Sequence, residues 1–210
     1  FGLAAIIAIM MQLQRSLPKA PDVLERLSKE ERIGIVDSTY INLPFSFIWT
    51  MPTSQWRLKT LTSDTLLLSL TSGKDITSCI TWLVSARRFQ ETDSIAACKI
   101  GAFSNPAQIP TQDVAINLLA EMLNVYEQDG VRVSILQSVK SPAHQTLNGS
   151  YFVILTPEKN ASVQVVAVLP RANNIYVILS EISEDFYLQL RDEIQLMVER
   201  FRPLPQWQKK

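Results

Sequence analysis

Few side chains in this sequence could do covalent or metal chemistry. Two cysteines, Cys79 and Cys98, and one histidine, His144, are the whole supply of thiol and imidazole groups in 210 residues. A structural zinc site needs a four-ligand set of such groups, so these three exclude a site of that kind. A serine or cysteine hydrolase would have to use His144 as its base, yet it stands in Ser141-Pro142-Ala143-His144-Gln145, a loop-like stretch with no nucleophile signature beside it. It reads as an exposed loop histidine. Cys79 lies in the apolar run 76–84 and Cys98 follows Ala96-Ala97, so both are expected to be buried free thiols. Pairing between them stays open in an oxidising compartment.

Phosphate chemistry fares no better. Ser72-Gly73-Lys74 lacks the upstream glycine and the following hydroxyl residue of a phosphate cradle, and no dinucleotide fingerprint occurs elsewhere. The acidic pairs Glu30-Glu31, Glu184-Asp185 and Asp192-Glu193 each fall in a helical pattern, where a solvated polar face accounts for them. Chance supplies about one sequon in a chain of this composition, so the two at Asn148 and Asn160 decide little. No catalytic, cofactor-binding or metal-ligating residue is therefore assigned. Trp207, Arg87 and Arg88 are of the types enriched at interfaces, but each reads as ordinary surface or packing.

Lys plus Arg and Asp plus Glu are both 20, so no basic excess points to nucleic acid or acidic lipid. With 47% apolar and 19% charged residues the chain can bury a real core, which excludes a mostly disordered protein. The length suits one compact domain with a short appendage.

The elements that must position these residues follow from periodicity. Residues 1–11 are unbroken apolar before polarity begins at Gln12, Gln14 and Arg15. Eleven helical residues reach only about half of a bilayer core. With no initiating methionine before them, they are expected to be the visible part of an uncleaved anchor, against a signal segment or a buried first helix. Residues 22–32 read as an amphipathic spacer helix begun by proline. From Thr39 the period changes to two, giving strands around Tyr40 to Trp49 and at Trp56 that meet at a proline-marked turn, then two runs, 65–70 and 76–84, in a meander. Residues 85–110 carry Arg87, Arg88, Gln90, Glu91 and Asp93 and read as a long connection with a helical turn. A helix is predicted over 112–127, where Val114, Leu118, Met122 and Val125 recur at fours. Strands follow at 131–135, 151–156, 163–169 and 175–180, joined mostly by short turns into an antiparallel sheet. Ser183 with Glu184 and Asp185 starts a last helix whose stripe Phe186, Leu190, Ile194, Met197 and Phe201 should lie on that sheet.

Phe45-Ser46-Phe47, Met51-Pro52 and Trp56, then Leu147-Asn148-Gly149-Ser150-Tyr151 opening a β-meander, and finally Phe186 through Phe201-Arg202, resemble the Mog1/PsbP-like family over residues 37–205. The resemblance implies an α+β fold, an antiparallel sheet flanked by helices in an α/β/α sandwich, here preceded by an apolar N-terminal helix. It also implies an accessory or binding protein without shared catalytic residues, like photosystem subunits facing the thylakoid lumen, a Ran-binding import factor and bacterial envelope lipoproteins.

The expected layout is an apolar anchor at 1–17, a linker helix at 18–36, one α+β domain at 37–205 and a polar tail at 206–210. The expected function is a non-enzymatic, membrane-anchored accessory or assembly subunit with protein partners in a membrane complex, no nucleic acid and no cofactor. Its domain is expected on the extracytoplasmic or lumenal side. The alternative is a soluble envelope or lumenal protein that holds a small ligand, or an enzyme, with a pocket under a lid formed by 85–110.

Overall fold

The computed structural model describes residues 33–61, 65–71, 75–105, 107–140, 149–156, 161–171 and 173–204, with backbone only at 65–71, 75–79 and 171. The predicted anchor and spacer helix, His144, the sequon asparagines Asn148 and Asn160, and Trp207 lie outside these residues, as does the side chain of Cys79. Among the described residues no helix is long and apolar enough to cross a membrane.

Two antiparallel sheets and two helices make up the described chain. β1 (Ile33–Val36), β2 (Thr39–Asn42), β3 (Phe47–Thr50) and the C-terminal β12 (Phe201–Pro203) form a four-stranded sheet in that order. β1, which falls inside the stretch read as a linker, pairs with β2 from Ile33↔Asn42 to Val36↔Thr39. The large sheet holds β4 (Trp56–Thr60), β6 (Asp75–Gln90), β7 (Asp93–Ser104), β11 (Asn174–Ser183), β10 (Ser162–Arg171), β9 (Ser150–Thr156) and β8 (Ser134–Lys140), in the order β4-β6-β7-β11-β10-β9-β8. β5 (Thr65–Thr71) pairs with the first part of β6 and β4 with its last part, so β4 and β5 follow one another along one edge. α1 (Thr111–Gln128) and α2 (Glu184–Glu199) complete the fold.

Four expectations fail here. The strand expected at 131–135 begins only at Ser134 and runs on as β8. The strands around Tyr40 to Trp49 do not pair with the strand at Trp56, because β2 and β3 belong to the small sheet and the chain crosses to the large one between Met51 and Trp56, whereas the runs 65–70 and 76–84 do pair antiparallel, as β5 and the first part of β6. The last helix stops at Glu199, and Phe201 continues as β12 against Trp49 of β3, since Pro203 lacks the N–H a longer helix would use. Residues 85–110 are not a connection: up to Ser104 they supply the last part of β6 and all of β7, the interior of the large sheet. The turn between them, Glu91-Thr92, has no glycine to announce it; Glu91 itself takes the left-handed conformation, φ 54°.

Period two sorts the large sheet into two faces. Val84, Ala86, Ala96, Cys98, Ile100, Tyr176, Ile178, Ile182, Ala167 and Leu169 form one core with the small sheet and α2. Ile80, Trp82, Phe103, Val166, Val168, Ile175 and Val177 form the other with Val114, Ala115 and Leu118 of α1. Strand β6 changes sides between its even-numbered residues: a register shift between Trp82↔Gly101 and Val84↔Ile100 inserts one residue and reverses the phase. Gly101 is required there, since a Cβ would stand 2.5 Å from Ile80 Cγ2 and 2.8 Å from Trp82 Cε3.

Phe47, Met51, Trp56 and Phe201, among the residues that carried the family resemblance, are buried in the core. Phe47, Tyr176 and Phe201 pack with ring centroids 4.9–5.5 Å apart. The Tyr176 hydroxyl donates to Phe45 O, and the Trp49 indole N–H donates to Met197 O at 3.0 Å, tying the small sheet to α2.

Candidate functional site

The faces differ in how completely they are covered. The small sheet and α2 cover one of them. On the other, α1 lies across β5, β8, β9 and β10 and leaves the outward side chains of β4, β7, the last part of β6 and the end of β11 uncovered. Cross-strand pairing orders these residues in rows. One row reads Arg57, Arg87, Ala97, Glu181 and Gln164; the next reads Lys59, Ser85, Lys99 and Leu179.

A groove of about 690 Å³ follows the first row to the end of the sheet. Its walls are Arg87 on one side and Glu181, Glu184 and Asp185 on the other, Ser94, Ser162 and Ser183 also line it, and Ala97 stands directly between Arg87 and Glu181. Two strand spacings, roughly 10 Å, separate those two backbones, and among the described residues no ion pair joins the Arg87 side chain to these carboxylates. The groove therefore presents a cation and carboxylates to a guest instead of to one another. The start of α2 shapes its rim. Ser183, expected as a cap, makes no side-chain cap hydrogen bond, and the Glu184 N–H bonds Ala161 O at 2.9 Å, leaving the Ser183 hydroxyl on the groove wall.

Beyond Glu181 the row ends in a buried polar pair under α1. Gln164 Nε2 donates to the Tyr126 hydroxyl at 2.5 Å, while Gln164 Oε1, also buried, finds no partner among the described residues. Burial raises the Tyr126 phenol above its usual range against the lowering by Gln164, and the nearby Glu181 carboxylate adds to the rise. Among the described residues no three His, Cys, Asp or Glu side chains are grouped to hold a metal.

The residues singled out in the sequence separate sharply. Arg87 is exposed in the groove. Arg88, its neighbour, is 8% exposed on the opposite face. There Arg88 Nε bonds Glu193 Oε2 at 3.3 Å and its Nη1 bonds Phe89 O, while the Trp56 indole N–H donates to the same Glu193 oxygen at 2.7 Å. Glu193 is thus no solvated acid: α2 turns it onto the sheet, where two neighbouring cross-strand residues, Trp56 and Arg88, both need an acceptor. Asp192 does stay in water, with a side chain 85% exposed. Cys98 is a free thiol within the covered core; burial pushes it up to about 12 although the Ser180 hydroxyl donates to its sulfur. The lid expected at 85–110 is absent, because 85–104 is the sheet on which the groove lies. Glu181, Gln164, Arg57 and Lys99 escaped the sequence reading. Their signal was local alternation within each strand: Arg57 between Trp56 and Leu58, Lys99 between Cys98 and Ile100, Gln164 between Val163 and Val165, and Glu181 between Ser180 and Ile182.

This sandwich has counterparts among solved structures. PsbP (CyanoP) from Synechocystis sp. PCC 6803 superposes with a TM-score of 0.56 at 11% identity, over 84% of this chain and 98% of that one. The chain has the PsbP-like fold. A protein of Bacteroides thetaiotaomicron VPI-5482 matches at TM-score 0.47 and 11% identity, over 84% of this chain and 52% of that one. LpqN, involved in cell envelope biogenesis of Mycobacterium tuberculosis, matches at 0.36 and 12%, over 71% and 84%. No family model and no curated protein sequence matches the chain.

Proposed function

We propose that this PsbP-like chain is a non-enzymatic accessory subunit, anchored through its apolar segment 1–17, whose uncovered sheet face docks a protein partner in a membrane-associated complex on the extracytoplasmic or lumenal side. One observation carries the reading: half of a central sheet face is left to charged and hydroxyl side chains, although a helix covers the other half. A sheet spends stability when it keeps charges where a helix could bury apolar surface, and binding is the return on that arrangement.

Carbonate and detergent extraction of native membranes, followed by lysine crosslinking and mass spectrometry, tests it. Recovery in the membrane pool with reproducible crosslinks from Lys59 and Lys99 to one larger assembly is the expected result. A soluble chain, or crosslinks confined to the α2 side, would sink it. The groove volume supports a second reading, a small polar ligand held between Arg87 and Glu181. A bound molecule in native mass spectrometry of the untreated protein, lost on Arg87→Gln, would favour that reading.

A further inference from the structure

Four cations share the uncovered face. Arg57 and Lys59 come from β4, Arg87 from β6 and Lys99 from β7; Arg57 stands opposite Arg87, and Ser85 lies between Lys59 and Lys99. Their neighbours Trp56, Leu58, Ala86 and Cys98 belong to or pack on the core with α2, so alternation sends all four to the α1 face. None is ion-paired among the described residues. Arg57 rests over the Phe89 ring at 4.9 Å and Lys99 over the Trp82 ring at 4.2 Å, contacts that hold the cations in place without neutralising them.

Like charges placed directly across a strand pair oppose folding. Protection of a sheet edge explains basic residues on β4. It does not explain Arg87 and Lys99, which stand on the interior strands β6 and β7.

We infer that Arg57, Lys59, Arg87 and Lys99 form a docking platform for an extended acidic segment of a partner polypeptide. This rests on the accessory-subunit reading and gives its partner a chemistry. The platform spans three strands, about 10 Å, which suits an extended chain. Glu181, on the next strand after β7, repels carboxylates and bounds the platform on that side. A flat anionic bilayer is the poorer guest, because α1 rises from the same face beside the platform. Its charged residues are Asp113, Glu121 and Glu127, with no Lys or Arg, so α1 would meet the lipid phosphates first and repel them.

The test titrates the full chain, in mild detergent, with a fluorescent synthetic peptide alternating Glu with Val, beside a Lys-Val peptide of equal length. The wild type is expected to bind the acidic peptide alone, with affinity falling as salt rises. The variant R57Q/K59Q/R87Q/K99Q should lose at least about tenfold in affinity. The variant R132Q/K140Q/R191Q/R202Q removes the same charge elsewhere and should lose less than about twofold. Matched urea midpoints establish that both variants fold. Equal losses in the two variants, or equal binding of both peptides, overturn the platform. So does flotation with phosphatidylglycerol-containing vesicles, above that with phosphatidylcholine alone, that the first variant abolishes; that outcome assigns the face to lipid. Because the titration needs no native partner, peptide failure alongside recovered native crosslinks would refute the acidic chemistry and leave the accessory role standing.

Discussion

The two faces of the large sheet are made by the same strands and meet opposite fates. Under α2 and the small sheet, polar side chains are few and mostly satisfied: Trp49 by Met197 O, Trp56 and Arg88 by Glu193, Ser180 by Cys98. Across the sheet, one residue away along each strand, Arg57, Arg87, Lys59 and Lys99 carry no ionic partner among the described residues. The covered face holds the fold together and the half-covered face is free to bind. A single strand therefore reads as core or as surface depending on which layer stands over it, and Arg87 beside Arg88 is the sharpest case.

The comparison can be broken first at Cys98. In a Cys79→Ser background, a thiol pushed up to about 12 carries roughly a thousandfold less thiolate near pH 8 than an ordinary one, so labelling of the native chain should be slower by at least that factor. The same rise fixes a pH dependence. Below pH 9 both folded and unfolded chains keep the proton; above it the unfolded thiol ionises while the buried one does not, so the Cys98 contribution to stability falls as pH climbs from 9 towards 12. Fast labelling in native buffer would mean that the covered face opens.

Phe201→Ala should cost about 3–5 kcal/mol in urea unfolding, because it empties the junction of Phe47 and Tyr176 between the small sheet and the large one. Glu193→Ala should cost about 2 kcal/mol: it strands Arg88 at 8% exposure, and the 23% exposure of the Glu193 side chain lowers the figure from that of a fully buried pair. Glu193→Gln should cost less, since its amide oxygen still accepts from Trp56. Arg87→Gln has the smallest expected effect, within about 0.5 kcal/mol and towards greater stability, because it removes the repulsion of Arg57. A clear loss of stability in that variant would make Arg87 a fold residue and erase the contrast with Arg88.

Local periodicity carried the elements whose neighbours agree with it. The helix at 112–127 became Thr111–Gln128, and the strands at 151–156, 163–169 and 175–180 became β9, β10 and β11 with up to three residues added at an end. Where both faces of a strand are apolar, or one helix stripe meets one sheet face, pattern and environment coincide. β6 from Ser85 onward, and β7, failed that test because their outward residues include Ser85, Arg87 and Lys99 while Ala86, Ala96 and Cys98 on the inward face are small, a composition that imitates a loop when the covering layers are unseen. The site was least legible: Arg87 was noticed for its type, but nothing local joins it to Glu181, which is 94 positions later and reaches it only across β7.

By itself the sequence determined the scarcity of catalytic groups, the antiparallel run β9-β10-β11, both helices, and the aromatic and proline positions that mark a PsbP-like sandwich, because these depend on residue type and on spacings shorter than one element. Only the tertiary structure decided that β12 returns to β3, that 85–104 is the centre of the sheet, that Glu193 faces Trp56 and Arg88, and that four cations gather on one open face. Each of those is a pairing between strands or layers, and its energy comes from burial and charge at distances along the chain that no local pattern records.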